Sequence, residues 1–181
     1  MVVDIAGFLI TGTTKGSYLS IDEILIVTTG GTIDKVYFDA KSDYEVGESV
    51  LDELLKQAHV SQPFFIAPLM RKDSLEVTDE DRLLITSTIK QATQSRVVIT
   101  HGTDTMTDTA ACLADVSGKT IVLTGSLAPA RFAQSDATFN VGMAFAAVQS
   151  LSEGVYIVMN GKVFRADEVR KDRSINEFVT L

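Results

Sequence analysis

Three short polar segments carry the residues of this chain that could do chemistry. They are Thr28-Thr29-Gly30-Gly31-Thr32, His101-Gly102-Thr103-Asp104-Thr105 and Thr124-Gly125-Ser126. Each follows an apolar run and couples glycine with a hydroxyl residue. Glycine permits tight turns and lets a small ligand approach backbone N–H groups. A threonine hydroxyl can attack a carbonyl carbon when a neighbouring group takes its proton. Acyl transfer, and amide hydrolysis in particular, also needs donors for the oxyanion and a proton for the departing amine. Asp104 adjoins Thr103, and a lysine on the same edge of the fold would complete a Thr-Lys-Asp relay. Such a lysine must become neutral at least transiently, through burial or nearby positive charge. Spacing alone does not choose the lysine.

A single Gly-Thr pair is more often an ordinary turn with a helix cap. A glycine-rich loop can also cradle phosphate, but the first segment has neither GxGxxG nor GxxxxGK[ST]. Catalysis gains weight because all three segments should open on one edge of a sheet, where open α/β folds bind their ligands.

The positioning elements are legible as alternating patterns. Ile24-Leu25-Ile26-Val27 is a continuous apolar run, as in a strand buried on both faces. Ser49 begins a helix through about His59, with Val50, Leu51, Leu54 and Leu55 on its apolar face and Asp52 at the capping-box position. Phe64 to Leu69 is a strand bounded by Pro63 and Pro68. Thr78 starts a helix that runs to about Gln94. Its hydroxyl can cap free N–H groups, and Asp79, Glu80 and Asp81 favour the positive end of the dipole. A strand at Val97–Thr100, a helix at Asp104–Asp115, a strand at Thr120–Thr124, a helix at about Ser135–Ser150 and a strand at Val155–Met159 complete the series. This alternation predicts an α/β fold, a three-layer sandwich with a mainly parallel sheet and helices on both faces. Residues 1–20, with Gly12, Gly16 and several Ser and Thr, read as a mobile or loosely attached N-terminal extension. Residues 21–181 read as one domain.

Composition bounds the remaining classes. The chain has 181 residues, 45% of them apolar, which suffices for one core. A formal net charge of -8 argues against nucleic-acid and anionic-membrane partners. No apolar run approaches the roughly 20 residues that span a bilayer. Met1 to Ile10 lacks a basic leader and contains Asp4, making it a poor signal peptide. Cys112 is the only cysteine, which excludes an internal disulfide and favours a reducing, cytoplasmic setting. His59 and His101 are far apart, and CxxC and HExxH are absent, so neither a metal nor a cofactor is expected. His101 is expected to be structural, and Cys112 to be a small buried hydrophobe in its helix. The acids at 79–81 serve a helix start. Asp136 and Asn140 are structural and at most shape a pocket floor.

TTGGTID at Thr28–Asp34 and HGTDTM at His101–Met106 together resemble the two signature loops of the bacterial-type L-asparaginase family. Further matches are Asp43-Tyr44-Glu45-Val46-Gly47, Asp73-Ser74 with Thr78–Asp81, Thr124-Gly125-Ser126, Ser135-Asp136 with Phe139-Asn140, and Met159-Asn160. The resemblance runs from about Ile24 to Lys171 and points to the N-terminal asparaginase domain in a short, single-domain form. It implies hydrolysis of the side-chain amide of L-asparagine without a cofactor.

By position, it implies Thr32 as the first nucleophile and Tyr44 as its assistant on a mobile lid. That lid should close only on substrate, because Asp39 to Asp43 and Gly47 give it little core. Thr103, Asp104 and Lys171 would activate either the attacking hydroxyl or the water of deacylation. The implied substrate-binding set is Gly31, Asp73, Ser74, Asp104 and Ser126. Ser74 and Asp104 would take the α-carboxylate and α-ammonium, and the Ser126 backbone would hold the amide. Larger members add an acid from a neighbouring subunit. Here Glu76, or an acid from a partner chain, should serve, in a homo-oligomer (dimer or tetramer) with a KM near the millimolar range. Leu75 stands where many members carry a polar substrate-contacting residue, which leaves amide preference open. A glutamine amidase and a non-catalytic amino-acid-binding module are the alternatives. The two hydroxyls with Tyr44, Asp104 and Lys171 favour catalysis.

Overall fold

The first strand of the computed structural model, β1 (Ile24–Gly30), is buried along its whole length. The structure describes residues 23–38 and 43–181. The expected extension at 1–20 lies outside them, as does most of the polar run from Asp39 to Asp43. After β1 come a 3₁₀ turn (Thr32–Asp34), β2 (Lys35–Phe38), β3 (Asp43–Val46), α1 (Leu51–Gln57) and β4 (Phe64–Lys72). A second 3₁₀ turn (Ser74–Glu76), α2 (Asp79–Gln91), β5 (Arg96–Thr100), α3 (Met106–Cys112) and β6 (Thr120–Thr124) follow. The chain continues through α4 (Ala137–Ser150), β7 (Gly154–Met159), β8 (Lys162–Arg165), a 3₁₀ turn (Ala166–Glu168), β9 (Val169–Asp172) and β10 (Glu177–Thr180).

Six strands form the main sheet in the order β4-β1-β5-β6-β7-β8, parallel except for β8. Register pairs Thr28 with Thr100 and Thr100 with Thr124. The three polar loops therefore leave neighbouring strands at the same height.

Period-two alternation divides the core into two layers. Leu25, Val27, Val97, Ile99, Ile121 and Leu123 face Ile85 and Ile89 of α2 and Met106 and Ala110 of α3. Ile24, Ile26, Val98 and Val122 face Leu51 and Leu55 of α1 and Val141 and Phe145 of α4. Each fully buried aliphatic side chain contributes about 1.5–3 kcal/mol relative to exposure, which holds helices on both faces. The expected three-layer α/β sandwich is the observed one.

Boundaries differ where tertiary contacts compete with local signals. Helix α1 starts at Leu51 rather than Ser49, and Asp52 forms no capping box. Buried Asp34 accepts the Val50 N–H at 3.0 Å from across the fold, while Asp52 pairs with Lys56 at 2.6 Å. Thr78 caps α2 as expected, through a reciprocal box with Asp81. That helix stops at Gln91 rather than Gln94. Beyond its end, Lys119 Nζ donates to the Ala92 and Gln94 carbonyls at 2.8 and 2.7 Å. Strand β4 runs through Pro68 to Lys72, which an edge position allows. The ribbons β2–β3 and β9–β10 were not anticipated.

Candidate active site

Glycine lets the loops at the carboxyl edge touch through their backbones. Gly31 has φ 87°, and a Cβ there would collide with the Gly102 amide. A Cβ on Gly102 would in turn lie 2.6 Å from Ser74 Cβ. The third loop is joined to the second by His101 N–H donating to Thr124 O at 2.9 Å. Asn140 Nδ2 also holds that third loop, donating to Gly125 O at 3.0 Å and to Asp136 at 2.8 Å. Asp136 accepts the Leu127 and Ala128 N–H groups. Ser126 is buried, and its hydroxyl donates to Ala128 O at 2.6 Å. Asp136 and Asn140 thus have the structural role expected of them.

The densest polar cluster lies on the second loop. Lys171 Nζ donates to Thr103 Oγ1 and to Asp104 Oδ1, both at 2.7 Å. The Lys171 side chain is only 7% exposed, against 36% for Asp104. Ser74 Oγ accepts the Asp104 N–H at 3.3 Å, and Ser74 O accepts the Thr105 hydroxyl at 2.6 Å. These bonds engage the residues that would have begun α3, which explains its late start at Met106. Arg173 Nη2 donates to the Asp104 carbonyl at 3.4 Å. The structure therefore gathers Thr103, Asp104, Lys171 and Ser74 around one point.

Asp73 and Glu76 are occupied with one another's backbone. Asp73 accepts the Leu75 N–H at 3.2 Å, and Glu76 accepts the Asp73 N–H at 3.1 Å. Asp73 also pairs with Lys35 at 2.7 Å. Burial pushes its carboxyl up, but Lys35 and the N–H donors outweigh that and leave it below the usual aspartate range. Glu76 is exposed and turned back on its own turn. Leu75 is 69% exposed beside buried Ser74.

Thr32 opens the 3₁₀ turn and is half-buried. The turn hangs on Asp34, which is 1% exposed. Its carbonyl accepts the Gly47 N–H at 2.9 Å, while its carboxylate accepts the Val50 N–H. Burial raises the Asp34 carboxyl above its ordinary range despite those bonds. Tyr44 lies in β3 opposite Tyr37 in β2. Its ring centroid is 5.4 Å from that of Tyr37 and 5.9 Å from that of Phe132, both edge-to-face. Tyr44 thus has more packing than its polar neighbours suggested.

His101 is fully buried, with Nδ1–H donating to Gly102 O at 2.7 Å and Nε2 accepting the Thr109 hydroxyl at 2.9 Å. Desolvation holds its pKa below the usual histidine range, so it stays neutral in one tautomer and serves structure. Cys112 contradicts its expectation and is exposed. Met106, Thr109, Ala110 and Leu113 form the buried side around α3, which turns Cys112 outward. Among the described residues, no group of three or more His, Cys, Asp or Glu side chains is placed to hold a metal ion. None of the described helices is long and apolar enough to cross a membrane. Sequence reasoning missed Asp34, although it closes the TTGGTID motif. It also missed Phe132, whose loop carries no periodicity.

Residues 23–177 match the family model described as Asparaginase, N-terminal. The chain is 32% identical over 171 residues to a glutaminase-asparaginase of Acinetobacter glutaminasificans, covering 86% of this chain and 51% of the relative. It is also 32% identical over 171 residues to L-asparaginase 2 of Escherichia coli, covering 87% and 48%. The crystal structure of L-asparaginase I from Vibrio cholerae superimposes with a TM-score of 0.75 at 28% identity, covering 88% of this chain and 51% of that one. The chain spans about half the length of the relatives it matches. With the family model matched over nearly the whole described core, and with both signature loops on one edge of the expected sheet, this chain belongs to the asparaginase family and corresponds to its N-terminal domain.

Proposed function

We propose that this protein hydrolyses the side-chain amide of L-asparagine to L-aspartate and ammonia through a threonine nucleophile. One observation carries the reading: buried Lys171 bridges the Thr103 hydroxyl and the Asp104 carboxylate at 2.7 Å each. When the amine is neutral, the same contact lets the hydroxyl donate to Nζ, and Asp104 stabilises the ammonium that forms. Thr32 attacks the amide carbon with help from Tyr44. The C–N bond breaks, ammonia leaves with the transferred proton, and an acyl ester remains on Thr32. Water activated by Thr103 and Lys171 then hydrolyses the ester. Ser74 binds the α-carboxylate, with Asp73 capping the turn that carries Ser74, Asp104 takes the α-ammonium, and the Ser126 backbone holds the amide. Gly31 keeps that wall bare of side chain.

The protein works as a cytoplasmic homo-oligomer, a dimer or tetramer, with a KM near the millimolar range. Its partner is the small substrate rather than nucleic acid or membrane. A second reading, glutamine hydrolysis, is favoured by the name of the Acinetobacter relative and by exposed Leu75 beside Ser74. Ammonia release from L-asparagine, L-glutamine and their D-isomers tests both. The expected order is L-asparagine above L-glutamine. Silence with all four would overturn catalysis and leave an amino-acid-binding module, which aspartate calorimetry would detect. Sedimentation that gives a monomer with micromolar KM would overturn the role of a partner chain.

A further inference from the structure

We infer that Phe132 is a positioning residue that acts through Tyr44, a role that rests on the function proposed above. Three aromatic rings stand in series, Tyr37, Tyr44 and Phe132, with neighbouring centroids 5.4 and 5.9 Å apart and interplanar angles of 64° and 63°. All three are about half exposed, at 54%, 44% and 44%, so they are not core residues placed by burial. Edge-to-face geometry sets the positive rim of one ring against the negative face of the next and fixes orientation as well as contact.

Both outer rings sit on segments joined to the Thr32–Asp34 turn. Tyr37 follows the 3₁₀ turn directly in β2 and faces Tyr44 in register. Phe132 comes from the loop after β6, whose Ala130 N–H donates to Ile33 O at 3.1 Å, one residue from Thr32. Phe132 N–H closes a tight turn onto Pro129 O at 3.0 Å. The same loop is held from behind by Asp136, Ser126 and Ser135. Tyr44 is therefore clasped between a strand that grows out of the Thr32 turn and a loop pinned to that turn. Its position relative to that turn is set from two sides. Loss of one side leaves Tyr37 to hold the ring alone and widens the range of Tyr44 orientations.

The test is a double-mutant cycle on the full chain with Phe132→Ala, Tyr44→Phe and the pair, and with Phe132→Tyr as the ring-restoring variant. Phe132→Ala should lower kcat about 3- to 10-fold, the range one edge-to-face pair can supply, and leave KM within about twofold. Phe132→Tyr should restore kcat. In the Tyr44→Phe background, Phe132→Ala should change kcat less than twofold, because the hydroxyl it positions is gone. Independent, multiplicative losses, or an unchanged kcat in Phe132→Ala, would overturn the role. A wild-type protein inert toward every amide would instead overturn the proposed function. The clasp would then be read from the Tyr44 ring resonances in NMR spectra. Ring-current shifts that vanish in Phe132→Ala uphold it, and unchanged shifts refute it.

Discussion

Around Lys171, the candidate groups are held by hydrogen bonds to charged partners and to loop backbones locked onto the large sheet. On the Thr32 side, a 3₁₀ turn and a two-stranded ribbon carry the groups, and rings at the surface orient Tyr44. Lys171 is 7% exposed, while Tyr44 is 44% exposed. Close polar packing holds Thr103, Asp104 and Lys171 together through contacts of 2.7 Å. Edge-to-face contacts hold Tyr44 through partly exposed rings rather than through charged hydrogen bonds. The proposed site would therefore combine a wall fixed by hydrogen bonds with one built on partly exposed rings. The two should respond differently to mutation and to pH.

On the proposed mechanism, the largest effects should come from Thr32, Thr103 and Lys171. Thr32→Ala, Thr103→Ala and Lys171→Met should each lower kcat at least about 100-fold with the fold intact, the loss expected for a group acting in the transition state. Steady-state kinetics with circular dichroism checks this. Near-wild-type turnover in any of the three would remove that wall from the mechanism.

Backbone substitutions sharpen the contrast. Gly31→Ala forces a Cβ into the Gly102 backbone at positive φ and should destabilise the protein by about 2–4 kcal/mol. Gly47→Ala on the ribbon side meets its nearest neighbours, the Val36 methyls and Asp34 O, at 3.2–3.3 Å and should cost about 1 kcal/mol or less. Urea unfolding of the two variants gives the comparison. Equal losses would show that the ribbon side is as tightly built as the sheet edge.

The two walls also carry pH linkages of opposite sign. His101 has a folded pKa below its ordinary 6.5, so the unfolded chain takes up the proton first as pH falls. Its contribution to stability is complete above about pH 6.5 and is lost as pH drops toward the folded value. Asp34 has a folded pKa above its ordinary 3.8, so the folded protein keeps the proton longer. Its contribution is present below 3.8 and is lost as pH rises through the folded value. His101→Gln should flatten the stability profile on the acid side of neutrality. Asp34→Asn should flatten it from 3.8 upward. Denaturation midpoints measured across pH test the signs, and a His101→Gln profile parallel to wild type would sink the first.

The smallest expected effect is none. Exhaustive chelation should leave ammonia release unchanged, because the proposed mechanism assigns every step to protein groups. Activity lost on chelation and restored by one particular metal would overturn that.

The hydrogen-bonded wall was the more legible of the two in the sequence. Continuous apolar runs marked β1, β5 and β6, and the glycines and hydroxyls after them marked their carboxyl ends. Buried parallel strands force such patterns. Lys171 was not legible from spacing, because 68 residues separate it from Thr103 and only a tertiary closure joins them. It came from the family resemblance. Ribbon β2–β3 was invisible for another reason. Lys35–Phe38 and Asp43–Val46 are four residues each, and Asp43 and Tyr44 are exposed, so no buried face imposes a period. Asp34 hid as a motif residue without an obvious partner, since its acceptors serve Gly47 and Val50 at a distance. Cys112 misled because a seven-residue helix has room for few inward positions, and small neighbours do not say which way it faces.

Lys171 reaches the cleft from ribbon β9–β10, which lies outside the six-stranded sheet. Its cross-strand partner is Phe178, which is fully buried and ties the ribbon to the core. Phe178 N–H is tied to Asn160 Oδ1 at 2.9 Å, and Leu181 N–H to Glu168 O at 2.9 Å. Phe178→Ala should consequently loosen the ribbon and be felt at the Lys171 amine as well as in stability. Purification tags and fusion partners belong at a site that leaves Glu177 to Thr180 paired.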